Sequence, residues 1–460
     1  MNDNVLGSAP IGRLLCSFAL PSITATLVSS LYNIVDQIFI GQGVGYLGNA
    51  ATNVSYPLST ICLAISLLIG IGSASRFSIC LGQGNTGKAA RIAGNALMLL
   101  LAAGVLYAAV GELLLIPLLR IFGATNDVLP YAAEYSSITL LGMPFLILTN
   151  GISNLIRADG RPKYSMVCMV VGAIANTILD PLFIFAFDMG VFGAALATVI
   201  GQILSFCLAF AYLWRFQNVH LTRECFRLDF SDCARTLYNG TSSCLNQVAI
   251  TFVQIVLNNS LSYYGAASVY GEDIPLAACG IVMKTNAILL AIVVGISQGV
   301  QPIIGFNYGA RQYGRVKKAY LLAIRWNLAV SLVGFCLFEF CPGALVSLFG
   351  SGNALYYEFA ILFMRTFLFM ALVNGVQLIS SNFFTAIGQA LKGLLLSLTR
   401  QVFFLIPLIL ILPLWLGIFG VCLAGPIADF AAFALSVWMV RREFKQLDLQ
   451  RSAQSPVSST

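Results

Sequence analysis

Asn176, Asp180 and Pro181 stand together in CMVVGAIANTILDPLFIFAF, an otherwise apolar stretch from Cys168 to Phe187. Four residues apart on a helix, the amide and the carboxyl share one face. Pro181 has no N–H to give the Thr177 carbonyl, so the helix is expected to bend there and leave that oxygen free. A carboxylate beside a broken backbone bond at membrane depth is costly unless a proton or a metal ion neutralises it. The same residues could serve as a polar pair holding two helices together; an ion-binding site fits the combination better. A second acid, Asp36, lies inside LVSSLYNIVDQIFIG, with Tyr32 one turn before it. GAALATVIGQ puts Ala194 and Thr198 on one face, and Asn150, Ser153 and Asn154 lie close together in another apolar run. If Asp36, Asn176, Asp180 and Thr198 converge, they supply two carboxylates, an amide oxygen and a hydroxyl, hard ligands suited to a small cation. Two carboxylates so close in a low dielectric cannot both stay charged and unpartnered, so the pair is expected to hold H⁺ or Na⁺.

The elements that must position these groups follow from composition. Of 460 residues, 58% are hydrophobic and 9% charged, against about 25% charged in a soluble domain. Apolar runs recur along the whole length, each enough to cross a hydrocarbon core with about 20 residues. The first contains Pro21 and Asp36 and lacks a small-residue cleavage site after a short apolar core, so it is expected to be a retained helix and not a signal peptide. Twelve helices are expected, near 14–40, 50–80, 92–116, 130–156, 162–186, 191–215, 235–262, 274–303, 316–340, 355–386, 391–414 and 418–440. Basic residues cluster in alternate connections (Lys88 and Arg91; Arg157, Arg161 and Lys163; Arg311, Arg315, Lys317 and Lys318; Arg441, Arg442 and Lys445). That asymmetry places both termini in the cytoplasm of a cell-membrane protein. The net charge of +7 is therefore a topology signal, and no soluble basic face exists to bind nucleic acid.

The two halves resemble each other. Gly190-Val191-Phe192-Gly193 returns as Gly417-Ile418-Phe419-Gly420, Gly70-Ile71 as Gly295-Ile296, and Asn154, Ala158 and Gly160 as Asn382, Ala386 and Gly388, all at nearly one spacing. Six helices per half, an even number, make this a parallel repeat. The expected fold is an all-α polytopic membrane protein, with two six-helix lobes related by a pseudo-twofold along the membrane normal. The boundaries read as an N-terminus over 1–13, a first lobe over 14–215, a connection over 216–234, a second lobe over 235–443 and a disordered tail over 444–460. Ile406 and Gly425 lie opposite Asp180 and Thr198, so the ion chemistry is assigned to the first lobe.

The segments LPSITATLVSSLYNIVDQIFIG, GSASRFSICLGQGN, NTILDPLFIF, GVFGAALATVIGQ and GISQGVQPIIGFNYGA resemble the multidrug and toxic compound extrusion family, over about residues 10–445. The resemblance implies two lobes that face alternately in and out, and export of organic cations against inward Na⁺ or H⁺. It also implies that the coupling-ion ligands are Asp36, Asn176, Asp180 and Thr198, with the Ala194 carbonyl. Other members carry acids on helices seven and ten; Gln247, Gln254, Gln377 and Asn382 stand there in this chain, which puts that second site in doubt.

Tyr32, Asn150, Ser153, Asn154, Gln254, Lys284 and Asp429 are the candidate lining of a substrate cavity. Asp429 follows Pro426, where it either binds substrate or a proton or satisfies polar groups at a kink. Lys284 is a counter-ion, a gate charge or a snorkelling side chain, and is the one mid-membrane base identified. A lipid-linked oligosaccharide or precursor flippase is the nearest alternative, but it would favour a cavity rich in Arg and Lys. The single histidine, His220, and the 12 scattered cysteines without a C-x-x-C leave no zinc site or catalytic nucleophile. Reduced thiols, no cofactor beyond the coupling ion, no enzymatic activity and a monomer are expected.

Overall fold

The computed structural model describes residues 5–347 and 354–454. Its spans are α1 (Ile11–Gly43), α2 (Tyr46–Gly82), α3 (Thr86–Leu113), α4 (Leu129–Ala158), α5 (Pro162–Ala186) and α6 (Gly190–Ala211). The second set is α7 (Phe230–Ala266), α8 (Asp273–Gly309), α9 (Tyr313–Phe340), α10 (Ala354–Phe367 with Ala371–Ala386), α11 (Ala390–Leu416) and α12 (Ile418–Gln454). Eleven of the described helices are long and apolar enough to cross a membrane; α10 makes twelve, as a pair bent by 48°. No strand occurs among the described residues. This is the expected economy of a lipid-embedded chain, in which each helix satisfies its own backbone polar groups.

The repeat is visible in the packing. In the first lobe α1 lies on α5, α2 on α4, and α4 on α6; in the second, α7 lies on α11, α8 on α10, and α10 on α12. The lobes meet where α1 crosses α8, α2 crosses α7, and α2 runs beside α8. Small residues permit these crossings. A side-chain carbon at Gly240 of α7 would fall 1.7 Å from the Leu68 carbonyl oxygen of α2, and one at Gly82 of α2 only 2.0 Å from the Phe306 carbonyl oxygen of α8. Beside the α2–α7 crossing, Arg76 pairs with Asp232 at 2.6 Å, both side chains nearly buried, and Arg76 also donates to the Asp232 carbonyl. The crossings and this pair hold the two lobes together.

The chain ends depart from expectation. Residues 444–454 are not a disordered tail: α12 continues to Gln454, and the rest of the expected tail, 455–460, lies outside the described residues. Tertiary contacts hold this extension. Leu447 is buried, Phe444 packs edge-on against Tyr320 and Phe383, and Asp448 pairs with Lys317. Within the expected N-terminus of 1–13, Leu6 is buried and its carbonyl accepts from Asn307 and Arg315. Both described ends therefore lie beside the α8–α9 junction, at one end of the bundle. The 216–234 connection is anchored by Asp159 in the α4–α5 turn, whose carboxylate accepts from the Tyr212 hydroxyl and from the Gln217 and Asn218 amides; α7 begins at Phe230, inside that expected connection. The cysteines are free, and Cys207, Cys336 and Cys341 are exposed.

If the α2–α7 approach sets the lobe packing, Gly240→Ala forces two backbones apart. Thermal unfolding in detergent should show a loss of about 1–3 kcal/mol, the usual cost of overpacking. Gly12→Ala, with nothing within 4 Å of the new methyl, should leave the midpoint unchanged.

Candidate cation-coupling site

Three helices of the first lobe build the site. The α-helical part of α5 runs to Pro181 and passes directly into a π-helical turn, Leu182–Ala186. The missing proline N–H is thus expressed as a widened turn, a form that marks functional positions in many helices. Asp180 and Asn176 lie just before it, 0% and 3% exposed. The Asn176 amide donates to Asp180 Oδ1 and to Thr198 Oγ1 of α6, each at 3.2 Å. Asp36 of α1 is half-buried, and its carboxyl lies against that of Asp180. Tyr32 of α1 and Tyr135 of α4 stand within electrostatic reach of both carboxyls, and the Tyr135 hydroxyl is beside Thr198.

The donors run out before the acceptors do. Asp36 Oδ1, Asn176 Oδ1 and Asp180 Oδ2 are buried without a hydrogen-bond partner. A buried acceptor left unmatched carries a penalty of about 1–3 kcal/mol, more when charged. Three of them in one place fit a small cation, or a proton shared between the carboxyls, which would satisfy them together. The nearest turn on each helix makes one face of the site dry. Ile40 follows Asp36 by one turn, Ile184 follows Asp180, and Ala194 precedes Thr198; these three form a buried apolar cluster with Phe39 and Tyr135. Ala194 enters the site's wall through this cluster.

Asp36, Asn176, Asp180, Thr198 and Tyr32 are thus brought together. Tyr135 had no distinguishing signal in the sequence, being one of 17 tyrosines, beside Glu134 near the start of its helix.

The other candidate lining residues divide. Asn154 is not a free cavity residue. It is 5% exposed, donates to the Asn150 carbonyl and accepts from the buried Arg157 guanidinium at 2.6 Å. Ser153 is buried with an unpartnered hydroxyl, and Asn150 is half-buried. Gln254 donates to Asn258 at 2.9 Å on the same helix. Lys284 is exposed. Asp429 is 3% exposed and bound by Arg400 Nε at 2.5 Å. Lys284 is therefore not the one mid-membrane base. Arg400 sits in the π-helical segment Thr399–Leu405 of α11, and an arginine alone in such an apolar run was itself the signal that an acid faces it.

The Arg400–Asp429 pair reads as a structural ion pair. Removing one member strands the other, so Asp429→Ala should cost about 3–5 kcal/mol. The double variant Arg400→Met with Asp429→Leu should recover most of it in chemical denaturation of detergent-solubilised protein. Full stability of Asp429→Ala with loss of transport would instead assign the acid to transport.

A family model described as MatE matches residues 21–182 and 242–411, one stretch in each lobe. The multidrug export protein MepA of Staphylococcus aureus is 26% identical over 423 residues, which cover 92% of this chain and 91% of that protein. A FAD transporter of Shewanella oneidensis is 25% identical over 446 residues, 95% of each. Among solved structures, one described as the outward-facing conformation of a multidrug resistance MATE family transporter superposes with a TM-score of 0.91 at 23% identity, over 97% of this chain and 99% of that one. A transporter from Pyrococcus furiosus, described as having a binding pocket of reverse polarity, gives 0.90 at 22% over the same shares. These structural likenesses speak for the fold, while the family match covers most of both lobes. The chain belongs to the MatE family, the multidrug and toxic compound extrusion transporters.

Proposed function

We propose that the protein is a secondary active exporter of small organic molecules, driven by Na⁺ or H⁺ entering through the Asp36–Asp180 site. The observation that carries this reading is the set of three buried acceptor oxygens, on Asp36, Asn176 and Asp180, that no donor among the described residues reaches. Multidrug export by the Staphylococcus aureus relatives supports the class of activity, and the FAD transporter supports a cargo range that extends to nucleotide-like molecules. In this reading both termini lie in the cytoplasm, which the basic connections support, and the interlobe space is closed at that end by the glycine crossings and the Arg76–Asp232 pair. Transport then proceeds by opening that end as the other closes, around a cargo held between the lobes.

The coupling follows from the site's charge. With no cation, two adjacent carboxylates repel in a low dielectric and pull α1 and α5 apart; with one bound, the three helices close under the Ile40–Ile184–Ala194 cap. Cation occupancy thus sets how α1 packs, and α1 also forms the interlobe contact with α8. One cation entering down a potential of 100 mV, inside negative, releases about 2.3 kcal/mol, enough to offset the outward movement of one positive charge on the cargo. The flippase alternative loses support because Arg400, the half-buried base of α11, is already paired with Asp429.

Ethidium efflux from proteoliposomes, with Na⁺ and proton gradients imposed separately, tests the reading. One gradient should drive efflux in the native protein. Asp36→Asn and Asp180→Asn should both fall to the level of empty vesicles while their unfolding midpoints stay within a few degrees. Gradient-driven efflux that survives either substitution would sink the coupling role, and a folded native protein that answers neither gradient would sink the exporter reading.

A further inference from the structure

Lys284 remains unexplained by the coupling site. It lies about a third of the way along α8, eleven residues after Asp273, about 16 Å along the helix at 1.5 Å per residue. Its side chain is exposed, and no hydrogen bond or ion pair to its ammonium is found among the described residues. An unpaired charge at that depth facing lipid is costly, whereas one lining a wet cavity marks a transport pathway.

The phase of α8 decides which it faces. Lower on the helix, the Ala291 carbonyl accepts from Thr26 Oγ1 of α1 at 2.7 Å. Side-chain carbons at Gly295 and Gly299 would lie 2.5 and 2.6 Å from the Cα atoms of Ile23 and Ala19. That stripe faces α1, in the other lobe. Carried upward at helical spacing, it continues through Ala287, Lys284, Gly280 and Ala277, all exposed. The large apolar residues typical of a lipid face, such as Leu332, Val333 and Leu337 on α9, are missing from it. The antiparallel register (Ala19 with Gly299, Ile23 with Gly295, Thr26 with Ala291) brings Asn33 and Ile34 level with Lys284, and Asn33 is also exposed. Helices α1 and α8 therefore touch in one half of their length and part in the other. Lys284 and Asn33 look into the space between them.

Three other groups of charges within the spans are closed on themselves. Asp36 lies against Asp180, Arg400 against Asp429 and Arg76 against Asp232. Lys284 is left as an uncompensated positive charge with three N–H donors. Building on the exporter reading, we propose that Lys284 binds an anionic group of the cargo, a carboxylate or phosphate oxygen, so that organic anions and zwitterions are exported beside organic cations and are bound in preference to them. Asn33, across the gap, adds a neutral donor and acceptor. A negative cargo leaves along the membrane field and not against it, so cation entry adds to its export instead of merely cancelling its charge.

A matched pair of dyes tests this: rhodamine 110, with a free carboxylate, and rhodamine 123, its methyl ester. Fluorescence polarisation titrations on the purified full chain in detergent need no ion gradient, so they report on this site separately from coupling. The native protein should bind rhodamine 110 about tenfold more tightly, the scale of one charge-assisted hydrogen bond. Lys284→Ala should remove that preference with rhodamine 123 affinity unchanged, and Lys284→Arg should keep it. Equal affinities in the native protein, binding of neither dye, or an equal loss for both in Lys284→Ala would overturn the proposal. A retained preference together with absent gradient-driven efflux would instead count against the exporter reading alone.

Discussion

A carboxylate inside a lipid-embedded helix has few ways to be stable, and the arrangement of this protein turns on how each one is satisfied. Asp232 is paired with Arg76 and Asp429 with Arg400. Among the described residues Asp36 and Asp180 have no basic partner; they have one another, an amide and a hydroxyl, with the Asn176 amide donating to both Asp180 and Thr198. A bound cation or a shared proton would meet that demand for a donor. The apolar turn beside it, Ile40, Ile184 and Ala194, keeps water from meeting the demand from that side.

The two lobes are the same construction used for different ends. Equivalent helices pack on equivalent helices, and both fifth helices are interrupted by π-helical turns, Leu182–Ala186 after Pro181 and Thr399–Leu405 before Pro407. In the second lobe the interruption carries an arginine that meets an acid, and the charge is closed off. In the first it follows an acid that meets another acid. Symmetry supplies two bodies joined at glycine-lined crossings; the two differ in the charge that each fifth helix meets.

Much of this was legible in the sequence because membrane insertion writes strong signals. Runs of apolar residues gave the spans, the recurring glycine pairs gave the duplication, and the Asn176–Asp180–Pro181 spacing marked the site. What stayed hidden depended on helix phase and distance. Arg400 and Asp429 lie on separate helices, so their meeting requires knowing which faces oppose. Asn154 looked like cavity lining, yet its helix turns it toward Arg157. The stretch after Arg442 reads as a charged, serine-rich tail, and only Leu447, Phe444 and Asp448 docking on α9 and α10 make it a helix. Local composition carries no trace of such tertiary support.

The central claim is that the Asp36–Asp180 pair takes up and releases a cation. Infrared difference spectroscopy on the reconstituted protein, following carboxyl and carboxylate stretches as Na⁺ is added at fixed pH and as pH is stepped without Na⁺, observes those groups directly. A carboxyl-to-carboxylate change under at least one of the two steps, absent in Asp180→Asn, is the predicted result. A spectrum unchanged under both, or the same change in the native and substituted proteins, would contradict it.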